Sequence, residues 1–190
     1  MAYSLLSKEF IGVLIGAAAS ISGGIFAARY QIKRIKESEA AKQELKVKIS
    51  ARIIYSDIHT LLKALLFYRK NDHKIVGFYF DFSADYSKHV DLLYERLSGD
   101  EIFLIRRIYG HLVNLQEATR TATLNSTEIN LLASPIYEAA YKLIYRDSET
   151  FERQTQAFWD SITESNYNQL KNGMDKKIEN LVDQLEVLKS

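Results

Sequence analysis

Residues 10–28, FIGVLIGAAASISGGIFAA, run for nineteen positions without a charged side chain, and the basic cluster Arg29, Lys33, Arg34 and Lys36 follows at once. An uncharged stretch of about 20 residues is what an α-helix needs to cross a hydrocarbon core. The run therefore predicts a single transmembrane helix over 10–28 behind a short tail at 1–9. Lys8 is offset by Glu9 before the run, whereas the cations come after it. That asymmetry predicts a single-pass protein with its N-terminus outside and its C-terminal domain in the cytoplasm. Arg29, Lys33, Arg34 and Lys36 would then lie beside anionic lipid headgroups. A cleaved signal peptide is the competing reading, but it places its positive charge before the apolar residues. The chain has no cysteine, which fits a reducing compartment and removes disulfide frameworks, zinc–thiolate sites and cysteine nucleophiles.

Gly12, Gly16, Ser20, Gly24 and Ala28 recur at every fourth position of the run. In lipid, helices associate by close backbone approach along such ridges of small residues, so the anchor is expected to form a homo-oligomer through this face. Residues 29–52 continue without proline or glycine and hold eight basic and three acidic side chains, a net +5, while the residues beyond carry −4. A basic helical stalk over 29–48 follows from that composition. Ile32 and Ile35 begin a heptad seam that Glu39, Lys42 and Lys46 interrupt, so the stalk reads as a solvated helix or as one packed on its own chain.

From Ile49 the apolar positions take helical spacing, through Ile53, Ile54, Ile58, Leu61, Leu62, Leu65 and Leu66. Lys74–Phe82, KIVGFYFDF, is short, aromatic and broken by Gly77, which suggests an extended segment at 74–82. Ser83 can open a helix through Tyr86, Val90 and Leu93, and Ser98 with Glu101 has the spacing of a capping box for the next one through Leu112 and Leu115. Further helical stripes run from Ile129 to Ile144, with Pro135 either kinking a helix or starting a new one, and along a last helix from near Asp147, with Phe151, Phe158, Trp159 and Ile162 first and a stripe from Met174 to Leu188 at its end. That end stripe is too short to stand alone and is expected to pack on the stalk. The fold class is all-α: a membrane helix, its stalk, and a cytoplasmic helical bundle over 49–190.

No P-loop, GxGxxG, HExxH, GxSxG or EF-hand pattern occurs, so the common phosphate, metal and hydrolase signatures are missing and no cofactor or metal is expected. Asp85 and His89 share a helical face, which more simply forms a solvated pair than a ligand set. Arg106 and His111, in RRIYGH, resemble the R-x4-6-H motif of HEPN ribonucleases, which are all-helical and often dimeric. The resemblance implies a cleft in which arginine and histidine act on RNA. Arg107 stands where that family carries a polar Asn, Asp or His, and the pair lies in a central rather than a late helix. Tyr137, Tyr141 and Tyr145 form a ladder at i, i+4, i+8, either at the edge of the core or as an amphipathic surface for a protein partner.

Nothing in residues 49–190 demands an enzyme. The leading expectation is a domain that binds a partner or ligand and couples it to an oligomerising membrane anchor, as in signalling, scaffolding or a membrane-acting defence effector. Lipids, a second copy and a protein partner are the expected contacts, and nucleic acid is not. The alternative is a membrane-tethered HEPN-like ribonuclease using Arg106 and His111.

Overall fold

The computed structural model describes residues 2–70, 82–121, 126–146, 171 and 173–190. These fall into helices α1 (Ala2–Lys70), α2 (Tyr86–Leu93), α3 (Gly99–Thr121), α4 (Ser126–Tyr145) and α5 (Lys176–Leu188), with no strand among the described residues. The extended segment expected at 74–82 lies outside them except for Phe82, as does the beginning of the last helix expected from Asp147; among the described residues that helix starts at Lys176, capped by Asp175. Two units divide the chain, Met1–Leu45 and Lys46–Ser190.

In the first unit, no helix among the described residues is long and apolar enough to cross a membrane. This overturns the transmembrane helix over 10–28, and with it the membrane location and the outside-to-cytoplasm orientation. Among the described side chains of this stretch, Val13, Ile15, Ile25 and Phe26 are diluted by Gly16, Ser20, Ser22, Gly23 and Gly24. Glycine and serine contribute almost nothing to transfer into hydrocarbon.

The lipid-headgroup role of Arg29, Lys33, Arg34 and Lys36 loses its basis as well. All four are exposed on the helix, with Lys33 3.9 Å from Glu37 and the Arg34 guanidinium 5.7 Å from the Tyr30 ring centre. Of the small-residue ridge, Gly12 has no described surroundings. Gly16 and Gly24 face open space, and Ser20 and Ala28 are exposed. The membrane packing proposed for this ridge therefore falls with the membrane helix.

The second unit holds the core. Its part of α1 buries Val47, Ala51, Ile54, Ile58, Leu61, Leu65 and Tyr68, a stripe with alternating steps of four and three. Against it lie Ile105, Ile108 and Leu112 of α3, Tyr137, Ala140 and Ile144 of α4, and Ile178, Leu181 and Leu185 of α5, all in one buried cluster. The turn into α3 is set by the sequence pair anticipated for it. Glu101 Oε2 accepts from the Ser98 backbone N–H at 2.7 Å, and Ser98 Oγ accepts from the Glu101 N–H at 3.3 Å. This satisfies two orphan donors of the first turn reciprocally. Ser83 does not cap α2; Asp85 occupies that position, and the Ser83 N–H donates instead to Asp57 at 3.0 Å. Pro135 lies inside a continuous α4, and Ser134 uses its hydroxyl on Tyr68 at 2.6 Å rather than as a cap.

Among the described residues, two polar ones are buried, Ser50 and Asp57, and both are on α1. Asp57 accepts a hydrogen bond from the Tyr109 hydroxyl at 2.5 Å, and Tyr109 is sandwiched by Tyr86, stacked at 4.1 Å, and by the edge of Phe82. Burial, and then the hydrogen bond to Asp57, push the Tyr109 hydroxyl above its ordinary value, so it remains a donor. Ser50 Oγ pairs with His89 Nδ1 at 3.2 Å, and Asp85 pairs with Lys88 at 2.8 Å. Asp85 and His89 are thus engaged with different partners.

The last helix finds its partner further along α1 than the stalk. Lys189 Nζ sits 3.5 Å above the Tyr55 ring, and that ring lies 4.2 Å from the His59 imidazole. Lys171 bridges Asp183 and Glu186 at 3.0 and 2.9 Å nearby. Burial first, then Lys189, Lys171 and Lys63 outweighing Glu186, pull His59 down to about 4. A folded-state value below the unfolded one means that the unfolded chain takes up the proton first as pH falls. Stability from this site is therefore complete above the ordinary histidine range and drains away toward pH about 4. Replacing His59 with Gln is expected to flatten the fall in melting temperature across that window. An unchanged slope would remove His59 as its source.

Candidate anion-binding cleft

Helix α3 carries Phe103, Arg107 and His111 at i, i+4 and i+8, so these side chains line one edge of the helix. The Arg107 guanidinium lies 5.9 Å from the Phe103 ring centre. His111 is half-buried, and burial, then the neighbouring Arg107, lower its affinity for a proton. Arg106 is exposed, and at five residues' separation it points about 140° away from His111 around the helix. The histidine's cationic neighbour is therefore Arg107. The Arg106–His111 pair that supports the ribonuclease resemblance is not assembled on one face.

Beside Arg107, the surfaces of α3, α4 and the start of α5 leave a cleft of about 220 Å³. Leu104, Leu143 and Ile178 form its apolar floor, and Arg107, Lys142, Arg146 and Asp175 its polar rim. Lys142 and Arg146 reach the same cleft because they are four residues apart at the end of α4. Three cations thus meet one carboxylate.

That carboxylate is occupied. Asp175 caps α5, its Oδ1 accepting from the Lys177 N–H at 2.8 Å, while Oδ2 takes the Arg146 Nε at 3.2 Å. Its own N–H donates to the Ile144 carbonyl at 2.7 Å, which ties the start of α5 to the end of α4. Among the described residues no carboxylate forms an ion pair with Arg107 or Lys142.

Arg146 has φ of +35°, a left-handed conformation that a β-carbon disfavours by about 1–2 kcal/mol. Glycine is the usual residue at such a helix end. Arginine here bends the chain out of α4 and keeps a guanidinium at the cleft rim. A wider trough along α4, lined by Thr127, Asn130, Leu131, Ser134, Pro135 and Glu138, contains one carboxylate and no cation.

The tyrosine ladder does not form a surface. Tyr137 and Tyr145 are almost fully buried, and Tyr137 stacks on Tyr68 at 4.5 Å with nearly parallel rings. Tyr141 is half-buried against Tyr145. Burial raises the hydroxyl values of Tyr137 and Tyr145. Tyr137 and Tyr145 belong to the core of the bundle and Tyr141 packs against it, so the three rings do not make the exposed stripe expected of a partner surface. Among the described residues no group of three or more His, Asp or Glu is arranged to hold a metal.

The cleft was missed in the sequence because its members are spread over residues 104–178. The one local signal was the four-residue spacing of Lys142 and Arg146. Comparison with protein-family models, with curated proteins and with solved structures finds no match to this chain.

Proposed function

We propose that the helical domain of residues 46–190 is a binding module for a small anionic ligand, taken up in the cleft between α3, α4 and the start of α5. The observation that carries this reading is the convergence of Arg107, Lys142 and Arg146 on one concave site whose single carboxylate is already engaged. Arginine offers a planar fork of donors to phosphate or carboxylate oxygens, and lysine adds a point charge. The apolar floor reduces competition from water and strengthens those contacts. Phosphate-bearing small molecules fit this chemistry.

The same helix supports coupling to α1. Two residues beyond Arg107, Tyr109 donates its hydroxyl to Asp57 on α1. A ligand that pulls on Arg107 therefore acts on an element hydrogen-bonded to the core segment of α1, and binding is read out there rather than converted into chemistry.

Inorganic pyrophosphate is a suitable probe. A ligand that binds only the folded state raises the melting temperature in proportion to the logarithm of its concentration above Kd. Pyrophosphate is expected to stabilise the full chain beyond a sodium chloride control of equal ionic strength. Identical melting in both would overturn the anion site.

A further inference from the structure

We infer that α1 pairs in parallel with α1 of a second copy of this chain, through a seam formed by Ile25, Ala28, Ile32 and Ile35. The steps between these residues are three, four and three, which places them at alternating a and d positions of a heptad. The sequence continues the same steps upstream through Ile11, Leu14, Ala18 and Ile21, so the pattern spans more than the about three heptads that a coiled coil requires. In the single chain this seam is uncovered: Ile25, Ile32 and Ile35 are 52, 53 and 56 % exposed. Val13, Ile15, Phe26 and Tyr30 are exposed off the seam as well, so it is the a and d spacing of the aliphatic groups that picks out this face as one for another helix to cover.

The flanking residues are compatible with a second copy and set its direction. Alongside the seam, Arg29 and Lys36 hold one flank (e) and Gly24 and Gln31 the other (g). In a parallel pair each g position faces the partner's next e position, so Gly24 meets Arg29 and Gln31 meets Lys36 with no like charges opposed. An antiparallel pair would instead set the Arg29 and Lys36 flanks of the two helices against each other. The seam also ends where it should. Glu39, Lys42 and Lys46 occupy its next positions, and from Val47, which is 3 % exposed, α1 is committed to its own domain's core.

The chain's lack of cysteine makes the test direct. Ile32→Cys in the full-length protein is expected to form a disulfide-linked homodimer under mild oxidation about tenfold faster than Tyr30→Cys, which lies on the outer face, because a disulfide needs β-carbons about 4 Å apart. Ile25→Cys should link to itself as readily as Ile32→Cys, which only a parallel, in-register pair allows. Ile32→Lys should shift the protein to monomer in light scattering while the melting of the domain stays unchanged. Equal crosslinking at positions 30 and 32, failure of Ile25→Cys to self-link, or a monomeric wild-type protein would each overturn the proposal.

Discussion

Replacing Asp57 with alanine is expected to destabilise the folded domain by about 4 kcal/mol, because two donors that converge on its carboxylate lose their acceptor. Tyr109 is fully buried against Phe82 and Tyr86, so its hydroxyl is not placed to turn to water, and the part-buried Ser83 N–H is held at the entry to α2 by the same carboxylate. A buried donor left without a partner costs about 1–3 kcal/mol, and truncating the side chain adds a small cavity. For a domain of this size the melting temperature should fall by about 10 °C. Tyr109→Phe tests the same bond from the other side and should cost less, since Asp57 keeps the Ser83 N–H. A loss under about 1 kcal/mol in Asp57→Ala would mean that this carboxylate is solvated in solution.

Reversing two charges of the cleft, Arg107→Glu with Lys142→Glu, is expected to weaken pyrophosphate binding at least about a hundredfold. Each charge-assisted hydrogen bond contributes about 1.5–3 kcal/mol, and every 1.4 kcal/mol is tenfold in affinity, so losing two reaches that mark. Both side chains are exposed, and the fold should tolerate the change to within about 0.5 kcal/mol. Arg106→Glu alters the net charge of the same helix from a different face and serves as the control. If Arg106→Glu weakens binding as much, the effect is the general field of the domain and the cleft is not the site.

Local features were legible in the sequence. Ser98 and Glu101 are three residues apart and answer only to each other, so spacing alone identified the capping box. The helical stripes from Ile54 to Leu65 and from Ile178 to Leu185 were readable for the same reason, since periodicity reports which side a helix buries. Asp57 and Tyr109 are 52 residues apart and carry no mark of their meeting. The cleft is a tertiary product in the same sense: Arg107, Lys142 and Asp175 are neighbours only because α3, α4 and α5 share a core.

Two readings failed where residue type was allowed to stand for environment. The run over 10–28 was taken as a membrane helix from its length and lack of charge, whereas no helix among the described residues is long and apolar enough to cross a membrane. The tyrosines at 137, 141 and 145 were given a surface role for their polar tips, yet the stripe of Ala133, Ala140 and Ile144 beside them turns the ladder inward.

The clasp between Arg146 and Asp175 also bears on how this protein can change over evolutionary time. With the Ile144 carbonyl bound to the Asp175 N–H and the guanidinium closed on the carboxylate, the two ends of residues 147–174 are pinned at one point of the domain. Substituting Arg146 alone leaves the Asp175 carboxylate, 11 % exposed, without its cation, so the two positions are expected to change together as lineages diverge.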